Sequence, residues 1–264
     1  MLHANSIERA GDPGLSDAAR VQGAGHARWV RASHWIVALT ILTLAGSGFV
    51  ILMAHPRLYW GPVGNDLTPP LLELPISRNH RHGGWEKSNA FFQDAVSPVT
   101  ANRTYDIFNQ NSWGRSLHFL SAWILALAGA AYVLAGFFTG HLRRNLLPRI
   151  GELTPRSLCR DLVAHLSLQI RPAGAGPPYG LLQKCAYSMV VFTALPMMIL
   201  TGLTMSPAVT AAYPVLLDLF GGSQSARTIH FFVFALLMLF VFVHVLMVFM
   251  SGVKRQIRAM TVGS

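Results

Sequence analysis

Residues 227–252 read RTIHFFVFALLMLFVFVHVLMVFMSG. After Arg227 this stretch contains no Asp, Glu, Lys or Arg, and it exceeds the roughly 20 apolar residues, at about 1.5 Å of rise each, that cross a hydrocarbon core. Its ionisable side chains after Arg227 are His230 and His244, 14 residues apart. At ~100° per residue that spacing falls about 40° short of four turns, so both imidazoles share one face, separated along the axis by ~21 Å. One membrane helix thus offers two metal-ligating side chains at two depths.

Working outward, the same kind of run occurs three more times. Trp35 to Ala54, Leu117 to Phe138 and Ala186 to Met205 are all free of Asp, Glu, Lys and Arg. With their flanks they define spans at about 32–54, 115–138, 183–205 and 227–252 within a single membrane domain covering 1–264. The composition agrees: 52% of residues are hydrophobic and 12% charged, with a mean hydropathy of +0.40, whereas about a quarter of a soluble domain is charged. The expected fold is an all-α integral membrane bundle of four transmembrane helices. Pro196 falls inside the third span, where it frees a backbone carbonyl and is expected to kink the helix.

Charge gives the orientation. Residues 1–28 form a polar tail with Glu8, Asp12 and Asp17 and no apolar core ahead of a small-residue cleavage site, so the first span is expected to act as its own insertion signal. Arg20, Arg28 and Arg31 precede span one; His141, Arg143, Arg144, Arg149, Arg156, Arg160, Arg171 and Lys184 line the 139–182 connection and the entry to span three; Lys254, Arg255 and Arg258 follow span four. By the positive-inside rule these segments are cytoplasmic, which predicts an N-in/C-in, multi-pass protein of a bacterial inner membrane. The 55–114 loop becomes periplasmic. It carries Asp66, Glu73, Glu86, Asp94 and Asp106, and its Pro and Gly content predicts turns and short helices. Trp60, Trp85 and Trp113 suit an interfacial belt. Leu158, Leu162, His165 and Leu166 predict an amphipathic helix over 155–169 in the headgroup region, broken by the run from Pro172 to Gly180. The net charge of +10 collects at span ends, which speaks for lipid contact and against nucleic acid.

Of eleven histidines, four lie inside spans: His34, His118, His230 and His244. A single membrane histidine has ordinary explanations, such as an interhelical hydrogen bond or a proton relay. Helix direction makes these four a set. Spans alternate, so His34 and His244 are inner while His118 and His230 are outer, and each pair comes from two different helices. Two axial imidazoles per iron are what a low-spin electron-transfer haem needs, and facing helices are where bundles build such sites. The pairs predict two haems, His34 with His244 and His118 with His230. The chain's two cysteines, Cys159 and Cys185, form neither a Cys-x-x-Cys-His attachment motif nor a four-cysteine cluster, so the haems are expected to be non-covalent haem b. His34 lies three residues beyond Arg31 but His244 ten before Lys254, so equal depth requires staggered helix ends or a snorkelling Arg31. Gly46, Gly48, Gly129, Gly136 and Gly202 could make room for a macrocycle or simply pack helices. Arg227, three residues before His230, could pair with a haem propionate or anchor the helix end.

This order of histidines resembles the di-haem cytochrome b subunits of Ni/Fe-hydrogenase, formate dehydrogenase and thiosulfate reductase over nearly the whole chain. Arg31-Ala-Ser-His34-Trp35, Gly140-His-Leu-Arg143-Arg144, Leu182-Gln-Lys184, Leu195-Pro196 with Leu200-Thr-Gly202, and Phe220-Gly-Gly-Ser-Gln224 through Arg227-Thr-Ile-His230 are similar to the branch associated with periplasmic molybdopterin oxidoreductases. The resemblance implies an electron-transfer subunit working between membrane quinone and a periplasmic redox enzyme, of molybdopterin type or else of hydrogenase type. It also implies a quinone site near the inner haem, for which His141, Arg143, Arg144, Asn145, Gln183 and Lys184 are candidates, although positive-inside topology accounts for basic residues equally well. Two other readings are a free-standing cytochrome b quinol oxidoreductase acting on superoxide, oxygen or ferric iron, and a non-haem transporter or scaffold. No P-loop, dinucleotide-binding or metalloprotease motif points to substrate chemistry of its own.

Overall fold

A computed structural model of the chain describes residues 27–65, 68–77, 111–166 and 180–263, without the side chains of residues 111, 112, 165 and 166. The architecture is all-α, with four helices long and apolar enough to cross a membrane. The first two are α1 (Arg28–Ala54) and α2 (Asn111–Phe138). After α3 (Pro155–Leu166), the third span is built from α4 (Leu181–Met189), a π turn at Val190–Ala194 and α5 (Leu195–Thr204). Short helices α6 (Pro207–Ala212) and α7 (Val215–Phe220) lead into α8 (Ser223–Thr261).

The most extensive packing joins α1 to α2 and α5 to α8. The buried positions in these helices are mostly small or hydroxylic, including Ser47, Ser121, Thr201, Thr204, Ser225, Ala226 and Thr228, whereas Leu39, Leu42, Leu127, Leu134, Phe137, Leu239, Phe242 and Phe249 face outward. That inversion is what lipid selects, because close helix approach rather than apolar burial holds such bundles together. The hydroxyls are neutralised locally: Thr40, Ser47, Thr201 and Thr204 donate to the carbonyls four residues earlier at 2.6–2.8 Å.

The kink expected at Pro196 takes the form of the π turn ahead of it. Pro196 has no N–H to offer the carbonyl of Phe192, and the Leu195 N–H reaches back five residues to Val190. Two further devices close the ends of the bundle. At the end where α1 finishes and α8 begins, β1 (Arg57–Leu58) pairs antiparallel with β2 (Leu72–Glu73), so the described part of the 55–114 loop is a small hairpin rather than short helices. The Gly61 carbonyl accepts from the N–H groups of Gln224 and Ser225 at 3.2 and 3.3 Å and so caps α8, while Thr228 Oγ1 donates to the Tyr59 carbonyl at 2.6 Å. Gly222 makes this approach possible. Its φ of +111 suits only glycine, and a Cβ there would meet Gly61 at 2.6 Å.

At the other end, α8 breaks at Gly252 (φ +101, ψ 92), and its last turns fold onto the start of α1. Trp35 Nε1 donates to the Met260 carbonyl at 2.9 Å and Arg31 Nη1 to the Thr261 carbonyl at 3.2 Å. The amphipathic segment expected over 155–169 is α3, tied to α4 by Asp161, whose Oδ2 accepts from the Leu182 N–H at 2.8 Å. The side chains of His165 and Leu166, Trp85, the tail before residue 27 and the breaker run 172–179 lie outside the described residues.

Candidate haem-binding site

α8 carries both His230 and His244, and each meets a histidine from another helix. The rings of His34 (α1) and His244 (α8) have centroids 6.3 Å apart with planes inclined at 53°. Those of His118 (α2) and His230 (α8) are also 6.3 Å apart, inclined at 59°. Both pairs reach from the α1–α2 hairpin to α8, so they span the interval between the two tightly packed helix pairs.

That separation tests whether a bis-imidazole iron fits. An imidazole nitrogen binds a first-row metal at about 2.0–2.1 Å and lies about 1.1 Å from its own ring centre, so two rings on opposite sides of one iron have centroids a little over 6 Å apart. Both pairs meet this spacing. Among the described residues no group of three His, Cys, Asp or Glu could hold a bare ion. Pairs suit a metal whose remaining ligands come from a macrocycle.

The surroundings differ at the two ends. His118 Nδ1 lies 3.1 Å from Ser47 Oγ, and His230 Nδ1 lies 2.8 Å from Thr201 Oγ1. Gly48 and Gly202 follow these hydroxyls; a Cβ on Gly48 would come 3.3 Å from His118 Cε1, and one on Gly202 3.7 Å from His230 Cε1. The His34 and His244 pair is packed by rings instead. Phe240 stacks on His244 at 5.9 Å and 15°, Tyr187 meets it edge-on at 6.3 Å, and Trp35 meets His34 edge-on at 5.4 Å.

The model of the family described as prokaryotic cytochrome b561 matches residues 25–263. The chain belongs to that family. It is a membrane-embedded, cytochrome b-like electron-transfer protein of a family that binds haem b and associates with periplasmic oxidoreductase complexes. A curated relative from Azospira oryzae, provisionally named as the protein-methionine-sulfoxide reductase subunit YedZ1, is 27% identical over 238 residues, covering 90% of this chain and 96% of its own. No solved structure matches.

The remaining candidates differ in what their side chains touch. Arg227 donates through Nη2 to the His55 carbonyl, beside the β hairpin. Burial of the imidazole, and then the guanidiniums of Arg227, Arg115 and Arg57, pull the His55 pKa down to about 4, although the residue as a whole keeps an exposed surface. Three guanidiniums thus gather at the end that holds His118 and His230, a setting suited to carboxylates. Lys184 is buried and paired with Glu152 at 3.3 Å. Arg144 caps α2, donating to the carbonyls of Thr139 and Gly140. Gln183 accepts from the Gly180 N–H at 3.1 Å, and Arg143 is exposed. His141 and Asn145 behave differently: Asn145 Nδ2 and His141 Nδ1 are 3.0 Å apart, and the His141 ring joins Trp29 (5.3 Å) and Tyr132 (6.3 Å) in an aromatic cluster.

Ser47 and Thr201 escaped the reading of the sequence, as did Trp29 and Tyr132. A signal for the first two was present, since each is a hydroxyl followed by glycine deep in a charge-free span.

Proposed function

We propose that this chain is the quinone-reactive membrane subunit of a respiratory complex, passing electrons between the quinone pool and a periplasmic redox enzyme. His34 with His244, and His118 with His230, each hold one haem b. The observation that carries this reading is the pair of equal ring separations, 6.3 Å at both sites, produced by four histidines from three helices. When bound, haem supplies reversible one-electron chemistry. The protein's part is to fix the imidazoles on rigid helices and to keep the two sites about 21 Å apart along α8.

The distribution of Arg and Lys supports an N-in/C-in orientation in the bacterial inner membrane, with His34 and His244 on the cytoplasmic side. Arg227, with Arg57 and Arg115 near it, is then positioned for propionate carboxylates at the periplasmic side. On the cytoplasmic side, His141 and Asn145, flanked by Trp29 and Tyr132, are the side chains best suited to a quinone headgroup: a polar pair for its oxygens and aromatic faces for its ring. Lys184 pairs with Glu152 and Arg144 holds the carbonyls of Thr139 and Gly140, contacts that serve the fold. The relative's name describes a reductase subunit, and it favours a partner-dependent role over a free-standing oxidase.

Purification from membranes tests the reading. Two haem b per chain, reduction by a quinol analogue that is impaired in His141→Leu, and a co-purifying molybdenum enzyme are the expected results. Protein without haem would overturn it. Rapid turnover of quinol with oxygen or superoxide by the isolated chain would instead establish the free-standing reading.

A further inference from the structure

The two hydroxyl-glycine pairs, Ser47-Gly48 on α1 and Thr201-Gly202 on α5, occupy equivalent positions toward the periplasmic histidines. Neither helix supplies the ligand it touches at this end. Ser47 on α1 addresses His118 on α2, and Thr201 on α5 addresses His230 on α8. The hydroxyls are almost completely buried, at 2% and 0% exposure, so no bulk water competes with them.

Their hydrogen bonds have a direction. Ser47 Oγ lies 2.7 Å from the Thr43 carbonyl, and Thr201 Oγ1 lies 2.7 Å from the Met197 carbonyl. A hydroxyl has one proton, and the carbonyl, which can only accept, takes it. The lone pairs of the hydroxyl therefore face Nδ1, so Nδ1 must carry the ring hydrogen. A second carbonyl competes for the same proton, that of Leu44 at 3.3 Å from Ser47 Oγ and that of Met198 at 3.2 Å from Thr201 Oγ1. Each imidazole is thus locked in the tautomer with the lone pair on Nε2, and its rotation is fixed by a neighbouring helix.

The geometry points to Ser47 and Thr201 as paired positioning residues that fix tautomer and ring orientation of the periplasmic haem ligands and lower the reduction potential of that centre selectively. The inference rests on the assignment of His118 and His230 as ligands. An acceptor on Nδ1–H increases the electron donation of Nε2, which stabilises the ferric state. His244 is set differently: among the described residues its ring has the aromatic neighbours Phe240 and Tyr187 and no hydrogen bond.

The experiment is a potentiometric titration of the full-length protein, with low-spin EPR, for wild type, Ser47→Ala, Thr201→Val, Thr201→Ser and His230→Ala. Thr201→Val keeps the shape of the side chain. We expect two haems in Ser47→Ala and Thr201→Val, a higher potential and altered EPR signal for one centre only, and restoration of both in Thr201→Ser. Both potentials unchanged, or both moved together, in Ser47→Ala and Thr201→Val would overturn the positioning role. His230→Ala separates this from the underlying assignment. Loss of one haem there upholds the ligand reading whatever Thr201→Val does, and retention of two haems removes the ligand reading and the inference with it.

Discussion

The two ends of the bundle solve the same problem with different materials. At the hairpin end, His118 and His230 are gripped by hydroxyls of neighbouring helices, backed by glycines, and roofed by a loop that caps α8 with the Gly61 carbonyl. At the end where α1 begins and α8 finishes, His34 and His244 lie among Trp35, Phe240 and Tyr187. The last turns of α8 reach across to α1 beside His34. Directional hydrogen bonds fix a ring and tune its basicity, whereas aromatic packing fixes position and leaves more rotational freedom. The hairpin end should therefore tolerate less change.

The largest expected effect breaks that roof. Gly222→Ala forces a non-glycine residue into a glycine-only backbone region, which alone costs about 1–3 kcal/mol, and drives its Cβ into Gly61. Thermal unfolding should show a clear loss of stability, with haem lost first from the His118/His230 site. Gly48→Ala comes next. Its Cβ would press on His118 Cε1 at 3.3 Å, whereas a Cβ at Gly46 would meet nothing within 4 Å. EPR should therefore change at one centre in Gly48→Ala and stay unchanged in Gly46→Ala.

The other end gives smaller effects. Truncation after Gly252 removes the acceptor carbonyls of Met260 and Thr261 but no ligand. Both haems should remain, with broadening or a modest potential shift confined to the His34/His244 centre in the titration. The smallest effect is a pH dependence of the roof. His55 is held at about 4 against an ordinary 6.5, so below pH 6.5 the unfolded chain binds this proton more readily than the folded one. The resulting stability is complete above that pH and declines as pH falls toward 4. Hydrogen exchange in 57–73 should quicken over that window, and His55→Asn should flatten the dependence.

Much of this was legible in the sequence. The four helices follow from charge-free length, and the 14-residue interval already placed His230 and His244 on one face, because helical periodicity is local. Alternation of the spans sets His34 opposite His244 and His118 opposite His230, and the ring centroids of each pair lie 6.3 Å apart. Helix starts were less readable: α8 begins at Ser223, ahead of the expected span, because its first turn is capped by Gly61 from far along the chain, whereas its break falls at Gly252, where the span was expected to end. Ser47 and Thr201 stayed hidden for a related reason, since a hydroxyl in a span reads as a helix-packing residue until the facing helix is known. The basic quinone candidates divided in the same way. Lys184 needed Glu152, from a different segment, to reveal an ion pair, while the Trp29, Tyr132 and His141 cluster joins residues more than a hundred positions apart.

Haem content in double variants tests the central claim of two sites made of these pairs most directly. His34→Ala/His244→Ala should retain one haem per chain with the potential of the remaining centre, and so should His118→Ala/His230→Ala, whereas His34→Ala/His230→Ala should retain none. One haem surviving in the His34/His230 variant, or none in the His34/His244 variant, would contradict the pairing.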